Sequence, residues 1–555
     1  LRPEARRLLD SGLPVAASAR RPFHWAIEFP EILVDGDGFD AVIGNPPFMG
    51  GKRITGALGT SYRDYLVGYI AGGQRGHADI CAYFFLRAWG LLRRTGQCAL
   101  LATNTIAQGD TREVGLDRLA AQGAVIPRAV ASRKWPGQAN LEVAEVWLRK
   151  GEWAGPFMLE DKPVAGITPQ LTPPGGISGA PFRLKANEGK SFIGSYVLGM
   201  GFVLTPEEAE RLKAKDPRNA DVVFPYLNGE DLNSRPDQSP SRWVINFRNW
   251  PLRREVARQW KDLDEGEQQD MLRSGAVTFD YPEPVAADYP DCLKIIEDRV
   301  KPERTRLDTN GRFSLRYPLY LRWWQYADKR PELYATIAGM PRFMVRARVT
   351  SYNCIAFANA GWICSEQTVA FSSANCGTLA LLQSTMHSDW FARFGSTLET
   401  RLRYTPSDCF ETFPLPASLD RLEDIGRRYY AHRQRIMQFS GKGLTAAYNR
   451  FHDRHETADD IEQLRDLHME MDRAVALAYC WDDLDLGHGF HQTRQGERFT
   501  ISDAARRTIL DRLLQLNHER HAAEVAAGLF DEKKPKSRRS RKGREKDAPA
   551  NGSLF

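Results

Sequence analysis

Asn45, Pro46, Pro47 and Phe48 are the residues of this chain whose types and spacing suit a definite chemistry. Two consecutive prolines each fix φ, remove an N–H and hold the preceding residue extended, so the turn they make is stiff and non-helical. On it the Asn45 side-chain carbonyl and the Pro46 main-chain carbonyl are two acceptors, with the flat ring of Phe48 beside them. Such a set suits an exocyclic amine on an aromatic base. Accepting both N–H protons draws electron density onto nitrogen for attack on an electrophile.

A strand must carry that turn. Phe39–Ile43 alternates and is β-branched as a buried strand would be, and Gly44 follows at its carboxyl end, the edge where open α/β sheets bind ligands. Trp25–Leu33 reads as a short strand or support. Met49–His77 holds eight glycines among 29 residues and reads as a long loop with few packing anchors, able to close over a base, with Lys52, Arg53, Arg63 and Arg75 near phosphates. Asp79–Arg94 is predicted as a helix with Ile80, Phe84, Trp89 and Leu92 on one apolar side, Asp79 in its first turn and Gly96 ending it. Cys98–Thr103 then reads as a buried strand with Asn104 and Thr105 at its end, and Arg112–Gln122 as a helix capped by Thr111. Strands at Val125–Ala131 and Leu141–Leu148, separated by the turn Trp135–Gly137, complete the second half of a doubly wound sheet closed by a hairpin-like pair.

With these elements placed, GNPPF at Gly44–Phe48 resembles the catalytic motif of S-adenosylmethionine-dependent amino-methyltransferases acting on adenine N6 in DNA. The surrounding pattern resembles the methylase-plus-specificity chains of type IIG restriction systems and phage-defence methylases. LLRRTGQCALLATNTI and WPGQANLEVAEVWL look like later methylase motifs of that family. The resemblance implies a partial Rossmann-like methyltransferase sheet in an α/β fold, with S-adenosyl-L-methionine as cofactor and double-stranded DNA as partner. It implies that Asn45 and Pro46 hold the amine and that Phe48 stacks on a flipped adenine, with Pro47 completing the motif. Asp79 is the candidate cofactor contact. The motif type also occurs in N4-cytosine and protein-glutamine methylases, so it leaves the target open among these.

The chain also departs from the family. Only 38 residues precede the strand, and they contain no G-x-G turn after an apolar strand where a cofactor's methionine end would lie against backbone. Gly44–Lys52 fails the phosphate-loop spacing because Met49 stands where a glycine is required, and Gly175, Gly176 and Gly179 are proline-flanked without a preceding strand. The expectation is a C-terminal fragment, or a second polypeptide that supplies the missing half. A recognition subunit that has lost independent cofactor binding is the alternative from another class.

Beyond this block, residues 1–150, a connector is expected over 151–189, an α+β target-recognition domain over 190–416, a helical region over 417–530 and a disordered basic tail over 531–555. Strands are expected at Phe192–Leu198, Val222–Leu227, Trp243–Asn246, Phe343–Val349 and Trp362–Phe371, and helices at Arg253–Trp260 and Asp291–Val300. PYLNGEDLN, RWVINF, SEQTVAF and STLETRLRYTPSDCFETFPLP resemble target-recognition domains attached to the same methylases. Arg316, Arg322, Arg346, Arg348, Arg401 and Arg403 supply forked donors for guanine, interleaved with Trp323, Trp324, Tyr352 and Tyr404. With Lys52 and Arg53, the residues Arg346, Arg348, Arg401 and Arg403 are the DNA-binding candidates. Extrusion of a base from a duplex requires a grip on both flanks, which a large recognition domain provides.

Composition narrows the classes further. At 555 residues and 42% apolar the chain is long enough for two to four domains. Net charge is +6, but Asp531–Asp547 holds nine Lys or Arg against four Asp or Glu, so the rest is nearly neutral and a nucleic-acid surface must be a local patch. The eight cysteines are dispersed without a Cys-x-x-Cys pair, which argues against a disulfide framework and a zinc ribbon. His452, Asp453 and His455, and His488 with His491, do not make H-E-x-x-H, so no metal site is expected. No apolar run of about 18 residues and no signal segment is present, and the reading is cytoplasmic with no membrane. Arg421–Phe439, Ala458–Tyr479 and a helix from a Ser502 cap through Leu516 are expected to brace the recognition domain or meet a partner.

Overall fold

The computed structural model describes residues 23–530 apart from 75, 136–141, 175–178, 399–400 and 494. Arg75, most of the 135–137 turn, the 175–176 glycine pair and the basic tail lie outside the described residues.

The first body is a six-stranded sheet of order β1-β2-β4-β3-β5-β6. Its strands are β1 (Phe39–Gly44), β2 (Leu92–Thr103), β3 (Ala124–Lys134), β4 (Glu142–Lys150), β5 (Phe157–Leu159) and β6 (Lys162–Val164). β1 runs parallel to β2 with Gly44 opposite Leu100, while β4 is antiparallel to both β2 and β3, as expected for a sheet finished by a hairpin-like pair. The stretch read as connector adds β5, parallel to β3, and its hairpin partner β6.

Several local expectations are corrected. Trp25–Leu33 forms two short helices, Trp25–Glu28 and Pro30–Leu33, because Trp25 and Phe29 turn back to pack edge-on against Phe39 at 5.8 and 5.5 Å. Met49–His77 is largely helical despite its glycines, with turns at Gly51–Leu58, Thr60–Tyr65 and Leu66–Ile70 anchored by buried Ile54 and Leu66. The helix after it spans Ile80–Leu91, and β2 begins at once, so Gly96 lies within a strand. Phe84 is exposed, while Ile80, Trp89 and Leu92 are buried as expected, joined by Cys81, Phe85 and Ala88. Residues 109–121 coil as three consecutive short helical segments, and buried Thr111 faces Asp79 rather than capping them.

The second body carries two four-stranded sheets. One is ordered Ile363–Cys364, Val223–Leu227, Arg242–Ile245, Val203–Leu204, and the other Ala356–Ala358, Phe343–Ala347, Thr368–Phe371, Ser191–Ile193. Arg253–Val256 is a strand, not a helix, since it pairs in parallel with Ala276–Thr278. The expected helix near 291 is present at Pro290–Arg299.

Helices Glu423–Ser440, Asp459–Ala478 and Asp503–Ala526 share a third core with Trp390 and Phe413 of the recognition region, so they brace it. The last helix, capped by Ser502, also straps the connector: Asn517 bonds the main chain of Phe182 and Thr412, and Glu524 accepts from the amides of Lys185 and Ala186. A buried polar chain runs through this core, from Asp472 to Thr385, His468, Tyr429, Tyr448 and Arg433.

Three histidines of this region are held neutral. Burial presses His387 well below the ordinary value, lowers His468 against the pull of Asp472, and lowers His452 to about 3 with help from Arg498. Each takes up a proton on unfolding that the folded chain refuses. Their stabilisation is therefore complete above pH about 6.5 and is lost as the pH falls toward 3. A thermal-unfolding series from pH 7.5 to 4.5 is expected to show a falling Tm, with a shallower fall in His452→Gln.

Candidate active site and nucleic-acid interface

The turn 45–48 leaves the sheet at the carboxyl end of β1, where Gly44 lies beside Leu100. Pro46 is buried and Phe48 is half-buried against the core of the sheet, whereas Asn45 and Pro47 are exposed. No described residue donates to the Asn45 side chain or to the Pro46 carbonyl, so both acceptors stand free beside an anchored ring.

The anchor is Asp79. Its Oδ1 accepts from the Met49 amide at 3.2 Å and from Cys81 N at 3.1 Å, so one carboxylate holds the turn and caps the helix Ile80–Leu91. Met49 O in turn accepts from Ile80 N at 3.0 Å, and Asp79 N donates to Thr111 Oγ1 at 3.1 Å. Gly51 makes the close approach possible, since a Cβ there would lie 2.3 Å from the main-chain carbon of His77. Asp79 is 7% exposed, and through Oδ1 it positions the turn.

Strand register brings further polar groups to the same edge. Thr103 at the end of β2 lies opposite Val143, and Lys134 of β3 opposite Glu142. Asn104 Nδ2 donates to Glu142 Oε2 at 3.2 Å, and the Ser132 hydroxyl donates to the same oxygen. Asn104, Ser132 and Glu142 line a cavity of about 1740 Å3 whose other wall is built by Tyr352, Asn353, Arg498 and Arg506. Arg498 lies over the Tyr352 ring at 5.3 Å, and Tyr352 stacks on His452 at 5.2 Å. Arg506 pairs with Asp389 at 3.1 Å, yet burial still pushes that carboxyl up to about 6. Ser132, Glu142, Arg498 and Arg506 were not singled out from the sequence. Only the pairing of β3 with β4 and the return of the chain at 492–507 bring them to this cavity.

The candidate DNA contacts divide. Lys52 and Arg53 are exposed on the helix that follows the turn, with the exposed ring pair Tyr65 and Tyr69 stacked at 5.7 Å further along the same excursion. Arg403 is half-buried on the short strand Arg401–Arg403, and the Arg401 side chain lies outside the described residues. Arg348 is half-buried with its amide bonded to Gln367 O. Arg346 is corrected: it is 1% exposed, its guanidinium is sandwiched 4.2 and 4.6 Å from the Tyr404 and Phe391 rings, and it donates to Asn353 Oδ1. It therefore ties the recognition core together, and Trp323, Trp324 and Tyr404 are likewise buried rather than interleaved on a surface.

β1 is the outermost strand, and beyond it Ile43 is 84% exposed, with Ile27 at 74% and Val34 at 66%. Exposed apolar groups along an unpaired strand edge are unusual in a finished sheet. The described residues supply no glycine-rich strand turn beside this edge, and so do not by themselves enclose a nucleoside cofactor. Among them no cluster of metal-ligating side chains occurs, and no helix is long and apolar enough to cross a membrane.

Comparisons define the class. Residues 12–120 match the Eco57I restriction-modification methylase family, and residues 320–417 match the MmeI target recognition domain. The chain thus joins a restriction-modification methylase segment to a target recognition segment. In overall structure it is similar to the type IIL restriction-modification enzyme MmeI in complex with DNA, with a TM-score of 0.59 at 18% identity over 86% of this chain and 57% of that one. It spans somewhat more than half the length of that relative. Weaker likenesses are to a DrdV–DNA complex (TM-score 0.34, 11% identity, 74% and 46% covered) and to the type IIG restriction endonuclease BpuSI (0.26, 10%, 80% and 55%). No curated protein matches the chain.

Replacing Asp79 with alanine is expected to cost about 1–2 kcal/mol through the lost cap and the stranded Met49 amide. Asp79→Asn, which keeps an acceptor oxygen, should recover most of it. Urea unfolding of both variants checks this.

Proposed function

We propose that this chain is the catalytic-motif and specificity part of a site-specific DNA adenine-N6 methyltransferase of the restriction-modification or phage-defence kind, with S-adenosyl-L-methionine as the methyl donor. The observation that carries the reading is the free pair of acceptors on a clamped turn at the carboxyl end of β1. The family matches support methylase chemistry and DNA specificity.

In this reading an adenine swung out of the duplex lies with its ring on Phe48. Asn45 Oδ1 and Pro46 O accept the two N6 protons and turn the nitrogen lone pair toward its electrophile. The amine needs no prior deprotonation, and rate comes from placement and from acceptors already aimed at the charge that develops. Tyr352, Arg498 and Arg506 offer one wall for the duplex, and Lys52 and Arg53 reach phosphates near the motif.

The open edge of β1 supports the companion expectation that a further strand and its glycine-rich turn complete the cofactor pocket, from upstream sequence or from a second polypeptide. Cofactor binding by calorimetry is expected to be weak for this chain alone and to rise when that element is supplied. A chain that stays unable to bind cofactor with it, yet binds DNA, is a recognition subunit instead.

The activity test is Asn45→Ala in the completed protein. Methyl transfer to duplex DNA is expected to fall at least about 100-fold, the scale of losing a preorganised acceptor at a reacting centre, while duplex affinity changes little. Digestion of the product locates the methyl, and a label on cytosine N4 would overturn the adenine assignment.

A further inference from the structure

A second cavity, of about 480 Å3, lies apart from the motif. It sits at the seam between the segment 249–283 and residues 322–329, at the start of the segment that matches the recognition family. Arg273, Arg322 and Lys329 line it, with Trp250 and Tyr281 as apolar walls, and Glu283 is its one lining carboxylate.

Three lining cations thus face one lining carboxylate, so the cleft carries an excess of positive charge. Arg322 Nε donates to the Arg273 carbonyl at 2.9 Å, which pins the guanidinium to the last turn of the helix Glu265–Ser274. Its terminal nitrogens have no partner among the described residues. Lys329 Nζ donates to the Gln325 amide oxygen at 2.9 Å, and Gln325 is itself fixed by a 2.7 Å bond to Trp250 O. Arg273 has only an exposed, 3.3 Å pairing with Asp270, the kind that contributes little. Burial and the neighbouring Arg322 lower the affinity of Lys329 for its proton, against an opposing pull from Asp328. Two cations pressed together in a half-desolvated cleft destabilise each other until an anion joins them.

We propose that this cleft is a seat for a phosphoryl anion, filled by a backbone phosphate of bound DNA. Its donors carry no base pattern: a pinned guanidinium and an ammonium suit phosphate oxygens and set register rather than sequence. The inference rests on the DNA-binding reading for its source of phosphate, and not for the seat itself.

The test compares the full chain with the double variant Arg322→Gln, Lys329→Gln. Duplex affinity is measured across salt concentrations, and inorganic pyrophosphate binding by calorimetry. The expected result is a drop of about one to two units in the slope of log affinity against log salt, equal weakening of all duplexes, and an unchanged sequence preference. Glu283→Gln, which removes the lining negative charge with little change in shape, is expected to tighten binding and excludes misfolding as the cause. If the slope is unchanged but pyrophosphate binding is lost in the double variant, the seat holds and its ligand is a free phosphate. If neither changes, the seat is overturned. A wild-type chain that does not bind duplex at all refutes the DNA reading, and the pyrophosphate measurement then decides the seat alone.

Discussion

One carboxylate ties the turn at 45–48 to the body of the sheet. The segment from Met49 to Asp79 leaves the sheet, winds through three helical turns and returns, and its closure rests on Asp79 Oδ1 bridging the Met49 amide and the first turn of the following helix. Closing a loop of that length costs little more than closing one half as long, so two or three well-placed bonds suffice. Without them the prolines would still stiffen residues 45–48 and the core would still hold the Phe48 ring, but the chain beyond it at Met49 would be untied. Stiffness comes from covalent geometry, and position comes from the core and the tie.

The sheet is unequal on its two sides. From β2 outward through β4, β3 and β5 the strands are paired on both edges, and their interior residues such as Ala102, Ala129 and Ala144 are completely buried. Among the described residues β1 pairs only with β2, and Ile43 on it is almost fully exposed. Amide and carbonyl groups along that margin, with apolar side chains beside them, form a template for another strand. The turn 45–48 therefore lies at a boundary between the paired body of the sheet and the open edge of β1.

In the recognition region and the helical region that braces it, arginine serves two ends that composition cannot separate. Arg304, Arg346 and Arg433 are each at most 1% exposed and bond to carbonyl, amide or hydroxyl oxygens, with Arg346 also held between rings. These cross-link strands and helices in a core, where removing the partner would strand a buried charge. Arg322 and Arg498 are only partly buried and line cavities. The same side chain is a structural pin in one place and a ligand donor in the other, according to which face of its strand or loop it occupies.

The sequence by itself determined the local features: the strand at 39–43, the stiff Pro-Pro turn, the strand, helix and hairpin order through residue 150, the helices near 423, 459 and 503, and the resemblance that joins a methylase to a recognition domain. Each of these depends on side-chain period, φ restriction or motif spacing within a few residues. Tertiary structure decided what depends on partners distant in the chain. Glycine-rich 50–77 folds as helix because Ile54 and Leu66 find a core, Arg253–Val256 extends because Ala276–Thr278 pairs with it, and Arg346 turns inward because Phe391 and Tyr404 flank it. Asp79 reads equally well from sequence as a dipole partner or a ligand contact, and only the return of Met49 to its side shows that it holds the turn. Period and propensity act over one turn of chain, whereas register, burial and convergence on a cavity are set by contacts across hundreds of residues.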